Sequence, residues 1–191
     1  MQLLKSANYK TVPWKNGGGV TREVALHRDE SLHPDFMWRV SIATVAEDGP
    51  FSAFPGIDRS IAVLAGNGMV LETDGHSTTL MKDGAPHVFD GASPVHARLI
   101  AGETVDLNLM SRRGFYRHQL IRLPVEGPVQ LEAQSGLRFI VFNGRAQVSG
   151  NTYFFTAEPL DCLICPAEGA VLQIEPDGFF DIFLVFIHPA A

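Results

Sequence analysis

Apolar and β-branched residues fall in short runs, broken about every ten residues by glycine or proline. Residues 20–26, 38–45, 61–64, 69–72 and 104–110 read as strands, and so do 137–142, 153–156, 160–165, 171–174 and 179–187. Short runs bounded by turn residues are the mark of strands rather than helices. No long stretch repeats at helical period, and residues 29–35, which include Pro34, read as a loop. The pattern predicts an all-β fold of sandwich or barrel type.

A faint internal repeat runs through this pattern. Ile61-Ala62-Val63-Leu64-Ala65-Gly66 resembles Phe139-Ile140-Val141-Phe142-Asn143-Gly144, the glycines standing 78 positions apart. Asp90-Gly91 and Glu168-Gly169 keep the same spacing. With a small gap, Asp106–Met110 lies on Asp181–Val185, which sets Asn108 against Phe183. Two similar β units therefore read as fused, with the join near residues 117–128. The expected division is 1–116, carrying the site, and 117–191, mainly structural. Strand parity adds detail. Arg39, Ser41 and Ala43 share one face of their run, and Asp106, Asn108, Met110 and Arg112 share one face of theirs. The run 179–187 is almost wholly apolar. If exposed, it would suit pairing with another chain, as in a homodimer. Where polar groups line a face, plain solvation is the competing explanation.

Composition narrows the class. The chain has 191 residues, 46% of them apolar, enough for a real core. A net charge of −6 argues against a nucleic-acid surface. No apolar run is long enough to span a membrane, and residues 1–10 lack a signal-peptide core, so a cytoplasmic protein is expected. The two cysteines, Cys162 and Cys165, alternate across a strand and suit core packing better than a disulfide.

The densest chemistry lies in Pro13-Trp14-Lys15-Asn16-Gly17-Gly18-Gly19-Val20-Thr21-Arg22-Glu23. A tight turn explains the glycines but not the aromatic, the cation and the amide beside them. No Gly-Lys-Ser/Thr follows, so this is not a phosphate loop. This block resembles the signature of the HutD/Ves family. So do Trp38-Arg39-Val40-Ser41-Ile42-Ala43, Gly49-Pro50-Phe51-Ser52, Phe54-Pro55-Gly56 with Asp58-Arg59, and Asp106-Leu107-Asn108-Leu109-Met110 with Arg112. The resemblance implies a bicupin, two small cupin or jelly-roll-like β-barrels in one chain. It also implies a link to histidine utilisation, with a role in binding or sensing an intermediate such as N-formylglutamate. A related branch is associated with cold and stress response.

The residues themselves favour anion binding. None of the seven histidines forms the pair, one residue apart, that a cupin metal site uses, so neither metal nor cofactor is expected. Ser41 and Ser52 lack a nearby histidine and orienting carboxylate. Glu23 and Asp106 could serve as acid or base. Pairing with neighbouring cations would lower their pKa values and oppose acid chemistry near neutrality. Lys15, Arg22, Arg39, Arg59 and Arg112 outnumber Glu23, Asp58 and Asp106 in the signature blocks. Surplus buried arginine invites a carboxylate. The expected ligand-binding set is Trp14, Lys15, Asn16, Arg39, Ser41, Arg59, Asp106 and Asn108, around a small anionic metabolite. An enzyme acting on a related carboxylate or amide is the alternative. A structural or partner-binding protein, with the charges as a brace, is the second.

Overall fold

The structure is a computed structural model that describes residues 2–33, 35–165 and 167–190. Nineteen strands and one short 3-10 turn, Ser6–Asn8, make up the described elements. They begin with β1 (Gln2–Leu4), β2 (Lys10–Pro13), β3 (Gly19–His27), β4 (Trp38–Val45) and β5 (Gly49–Pro50). There follow β6 (Ile57–Ala65), β7 (Met69–Thr73), β8 (His76–Leu80), β9 (His87–Asp90), β10 (Val95–Leu99) and β11 (Thr104–Arg112). The rest are β12 (Tyr116–Val125), β13 (Val129–Glu132), β14 (Leu137–Phe142), β15 (Ala146–Gly150), β16 (Tyr153–Ala157), β17 (Cys162–Ile164), β18 (Val171–Pro176) and β19 (Phe180–Pro189). Among the described residues no helix is long and apolar enough to cross a membrane.

Two compact units result. Lys10–His118 forms one, and Gln119–His188 with the segment ending at Tyr9 forms the other. This differs from a single cut after residue 116. The reason is that β1 pairs antiparallel with β17, Leu3 opposite Leu163, so the first strand completes the later unit.

The site unit has a six-stranded sheet ordered β2-β3-β4-β11-β6-β9 and a four-stranded sheet ordered β5-β10-β7-β8. The second unit has sheets ordered β1-β17-β14-β19-β12 and β13-β18-β15-β16. The four-stranded sheets correspond strand for strand, and β4-β11-β6-β9 corresponds to β12-β19-β14-β17, while β2 and β3 of the site unit and β1 of the second have no counterpart. The sequence repeat thus has a topological basis. In the site unit Val45, Ile61 and Val63 pack with Met69, Leu71, Leu80, Val95 and Ala97 from the facing sheet. In the second unit Ile140, Phe142, Ile182 and Leu184 pack with Val148, Leu172 and Ile174.

That packing corrects the sequence alignment by one residue. Asn108 pairs with Ile61 and so shares the face that meets the second sheet. In β19 that face carries Ile182 and Leu184, while Phe183 is buried with the opposite parity. Irregular register between Val105 and Asp106, and between Leu137 and Phe139, breaks the strict alternation the alignment relied on. The counterpart of Asn108 is apolar either way. The run 179–187 is not an open edge, because β19 lies between β14 and β12 with its residues through Ile187 buried.

Candidate functional site

The hairpin of β2 and β3 supplies one wall of a pocket. Trp14 N–H donates to Gly19 O at 2.9 Å and Gly17 N–H to Trp14 O at 3.1 Å, closing the turn. Gly17 takes φ +77°, open to glycine at little cost. Gly19 has a different reason: a Cβ there would lie 2.4 Å from Thr44 O and 3.1 Å from the Trp14 ring. Backbone contact with β4 therefore needs the missing side chain. Trp14 is held by its indole N–H donating to Thr21 Oγ1 at 2.8 Å and by edge contact with Phe51.

The pocket encloses about 520 Å³, the size of a small metabolite site. Trp14, Lys15, Asn16, Arg39, Ser41, Arg59, Asp106 and Asn108 all line it. Arg22 and Arg112 do not. Asp35, at 3.8 Å, and the Phe36 carbonyl hold Arg112 instead. Asp58 faces elsewhere and bonds Arg113, which also pairs with Asp90. Lys15, Arg39 and Arg59 then face Glu23 and Asp106, a surplus of one positive charge.

Arg59 is the centre of the site and is 5% exposed. Its Nη2 donates to Asn108 Oδ1 at 2.8 Å. Phe89, Phe51 and Phe54 ring centroids stand 4.7, 5.4 and 5.6 Å from the guanidinium carbon. Arg39 sits likewise over Phe36 and Phe54, at 4.9 and 5.2 Å. Aromatic faces offset part of the desolvation of a cation. They do not replace a counter-charge. Among the described residues no carboxylate lies within 4.0 Å of either guanidinium, and the Nε atoms of both are buried without a hydrogen-bond partner. Burial holds the Arg59 pKa down to about 10, against the pull of Asp106.

Asp106 is fully buried in the pocket floor, beside the small residues Ser41 and Ala43 of β4. Asn108 Nδ2 donates to its Oδ1, while Oδ2 has no partner. Burial raises its pKa to about 7, and Arg59 only partly opposes this. The expected lowering by ion pairing is thus reversed: depth of burial outweighs a cation that is near but not in contact.

Phe51, Phe54, Glu23, Thr21, Ser52 and Met110 also line the pocket and are missing from the set expected on sequence, as are Phe36 and Phe89, which stack on its arginines. Phe51 and Phe54 stand in two of the motif blocks, between Pro50 and Pro55, and that placement was the available signal. Phe36 and Phe89 carry no such mark. Among the described residues, no three histidines, cysteines or carboxylates cluster as a metal-binding group.

The HutD family model matches residues 6–180. An uncharacterized 21.2 kDa protein in the hutC 3′ region of Pseudomonas putida is 41% identical over 120 residues, 63% of each chain. Protein Ves of Citrobacter koseri is 43% identical over 101 residues, 52% of each chain. The chain thus spans between half and two thirds of the length of these relatives. A conserved protein of unknown function from Pseudomonas aeruginosa PAO1 superposes with TM-score 0.84 at 31% identity, covering 97% of both chains. HutD from Pseudomonas fluorescens SBW25, in a formate condition, gives 0.76 at 30%, covering 100% of this chain and 99% of that one. Oxalate decarboxylase of Lactobacillus farciminis gives 0.61 at 12%, covering 100% and 87%, a likeness of fold alone. The all-β architecture is that of a bicupin.

Proposed function

The chain belongs to the HutD family, and we propose that its site unit binds a small carboxylate metabolite in a regulatory or accessory role. The observation that carries this reading is a pair of arginines, Arg39 and Arg59, turned into one pocket without a carboxylate contact. A buried cation without a partner costs several kcal/mol, and a ligand carboxylate would supply the partner bidentately. Trp14 and the phenylalanines would cover an apolar stem, and Lys15 and Asn16 stand at the exposed rim. N-formylglutamate is a candidate of suitable charge. The formate condition of the Pseudomonas fluorescens relative makes formate a natural first probe.

Calorimetry and thermal shift with formate, glutarate and N-formylglutamate test this. A ligand at a hundred times its Kd should stabilise the fold by about 2.7 kcal/mol. Arg59→Met should weaken binding by about 2–5 kcal/mol and leave the protein folded. Loss of stability with unchanged affinity would make the arginines a brace instead.

One observation favours an enzyme as the second reading: Asp106, near pH 7, could trade a proton with substrate. NMR of the same mixtures over hours distinguishes the two, since a binder leaves each compound intact.

A further inference from the structure

Asp106 and Arg59 are linked through a single amide. Arg59 Nη2 donates to Asn108 Oδ1, and Asn108 Nδ2 donates to Asp106 Oδ1. Both donors of this chain run toward the carboxyl group, so Oδ1 is committed as an acceptor. Oδ2 is buried and has no partner, and it is the oxygen free to carry a proton. Around it, β6 contributes Arg59, β4 contributes Arg39, β3 contributes Glu23, and Lys15 comes from the β2–β3 turn. Asp106 has no cation in contact, yet Arg59 is the charge that favours its ionised form.

We propose that Asp106 is the resident counter-charge of Arg59, and that it gives up this role by taking a proton from solvent when an anionic ligand reaches the guanidinium. The exchange rests on the carboxylate reading above. An incoming anion cancels the charge of Arg59, places a like charge near Asp106 and displaces water from the pocket. All three disfavour the ionised carboxyl. The proton ends on Oδ2, and the Asn108 bridge keeps its hydrogen bonds in both states. Asp106 is thus a positioning residue that acts through Arg59, and the pocket's affinity is tied to pH near neutrality.

The test uses sodium formate and sodium glutarate, both ionised from pH 6 upward, on the full chain. Kd is measured by NMR titration between pH 6 and 8.5, a range in which Arg59 stays charged. Wild type should lose affinity by up to tenfold per pH unit above about 7, where free Asp106 is ionised. Asp106→Asn presents an acceptor to Asn108 and no charge, so its Kd should be flat and close to the wild-type value at pH 6. Wild type alone provides a second reading: in weakly buffered solution at pH 8, an indicator dye should report uptake approaching one proton per anion bound. Binding with a flat Kd and no proton uptake overturns the exchange and leaves the carboxylate reading standing. Failure of both anions to bind at pH 6 removes that reading, and the exchange with it.

Discussion

His118 shows how far a single residue's surroundings decide its chemistry. Its Nε2 lies 2.9 Å from Ser60 Oγ and its Nδ1 2.7 Å from Ser111 Oγ. Ser111 also reaches Tyr116 O at 3.4 Å, and a hydroxyl has one proton to give. If Ser111 donates to that carbonyl, it must accept from Nδ1–H, and Ser60 must donate to Nε2. Burial pushes the ring down to about pH 4, with Asp58 pulling weakly the other way. The expected outcome is a neutral Nδ1–H tautomer that does not titrate until well below pH 5. Long-range 15N NMR of the imidazole checks both points. A midpoint near the ordinary 6.5 would mean that water reaches the ring. Asp106 is the mirror case, a carboxyl raised by the same desolvation. Neither displacement was legible in the sequence, because alternation reports which face a residue takes and not how deep that face lies.

At the scale of elements, the hairpin of β2 and β3 carries the sharpest test. Gly17 and Gly19 are neighbours in one motif with unlike constraints. Gly17 has open space but φ +77°, so Gly17→Ala should cost roughly 1–2 kcal/mol from backbone strain alone. Gly19→Ala drives a methyl group into Thr44 O and the Trp14 ring, an overpacking of about 1–3 kcal/mol that also moves Trp14. Chemical denaturation gives the two costs, and Trp14 fluorescence should change for Gly19→Ala only. Similar spectra in both variants would mean that the β3–β4 contact yields without moving the indole. The motif made this hairpin easy to find. Strand parity likewise put Arg39, Ser41 and Ala43 on one face, and they line the pocket together. Short polar strands such as β8 and β13 were not legible, since half-exposed edges lack an apolar signal. Nor was the pairing of β1 with β17, which joins residues that no local pattern connects. The aromatic box around Arg59 draws on β9 and on the loop holding Phe51 and Phe54, and loop geometry is not encoded in periodicity.

For the whole molecule, the two displaced groups make opposing demands on stability. His118 has its folded pKa, about 4, below its ordinary 6.5. The unfolded chain therefore gains a proton first on acidification, and this residue's contribution, present above pH 6.5, is lost as pH falls toward 4. Asp106 has its folded pKa, about 7, above its ordinary 3.8. The folded chain holds that proton longer, so its contribution is full below pH 3.8 and is lost as pH rises through 7. Between pH 4 and 6.5 the two slopes largely cancel in the wild-type chain. Removing one group should expose the other. Relative to wild type, Asp106→Asn should grow more stable as pH rises from 4 to 7, and His118→Gln should grow less stable across 4 to 6.5. Each change should be on the order of 2–3 kcal/mol over its window. The other displaced carboxylates, Asp29, Asp90 and Asp161, are common to all three proteins and drop out of the differences. Urea denaturation at half-unit pH steps measures the three curves. Opposite slopes in the two variants are the required result. Parallel curves would show that neither group changes its protonation between the folded and unfolded states in this range.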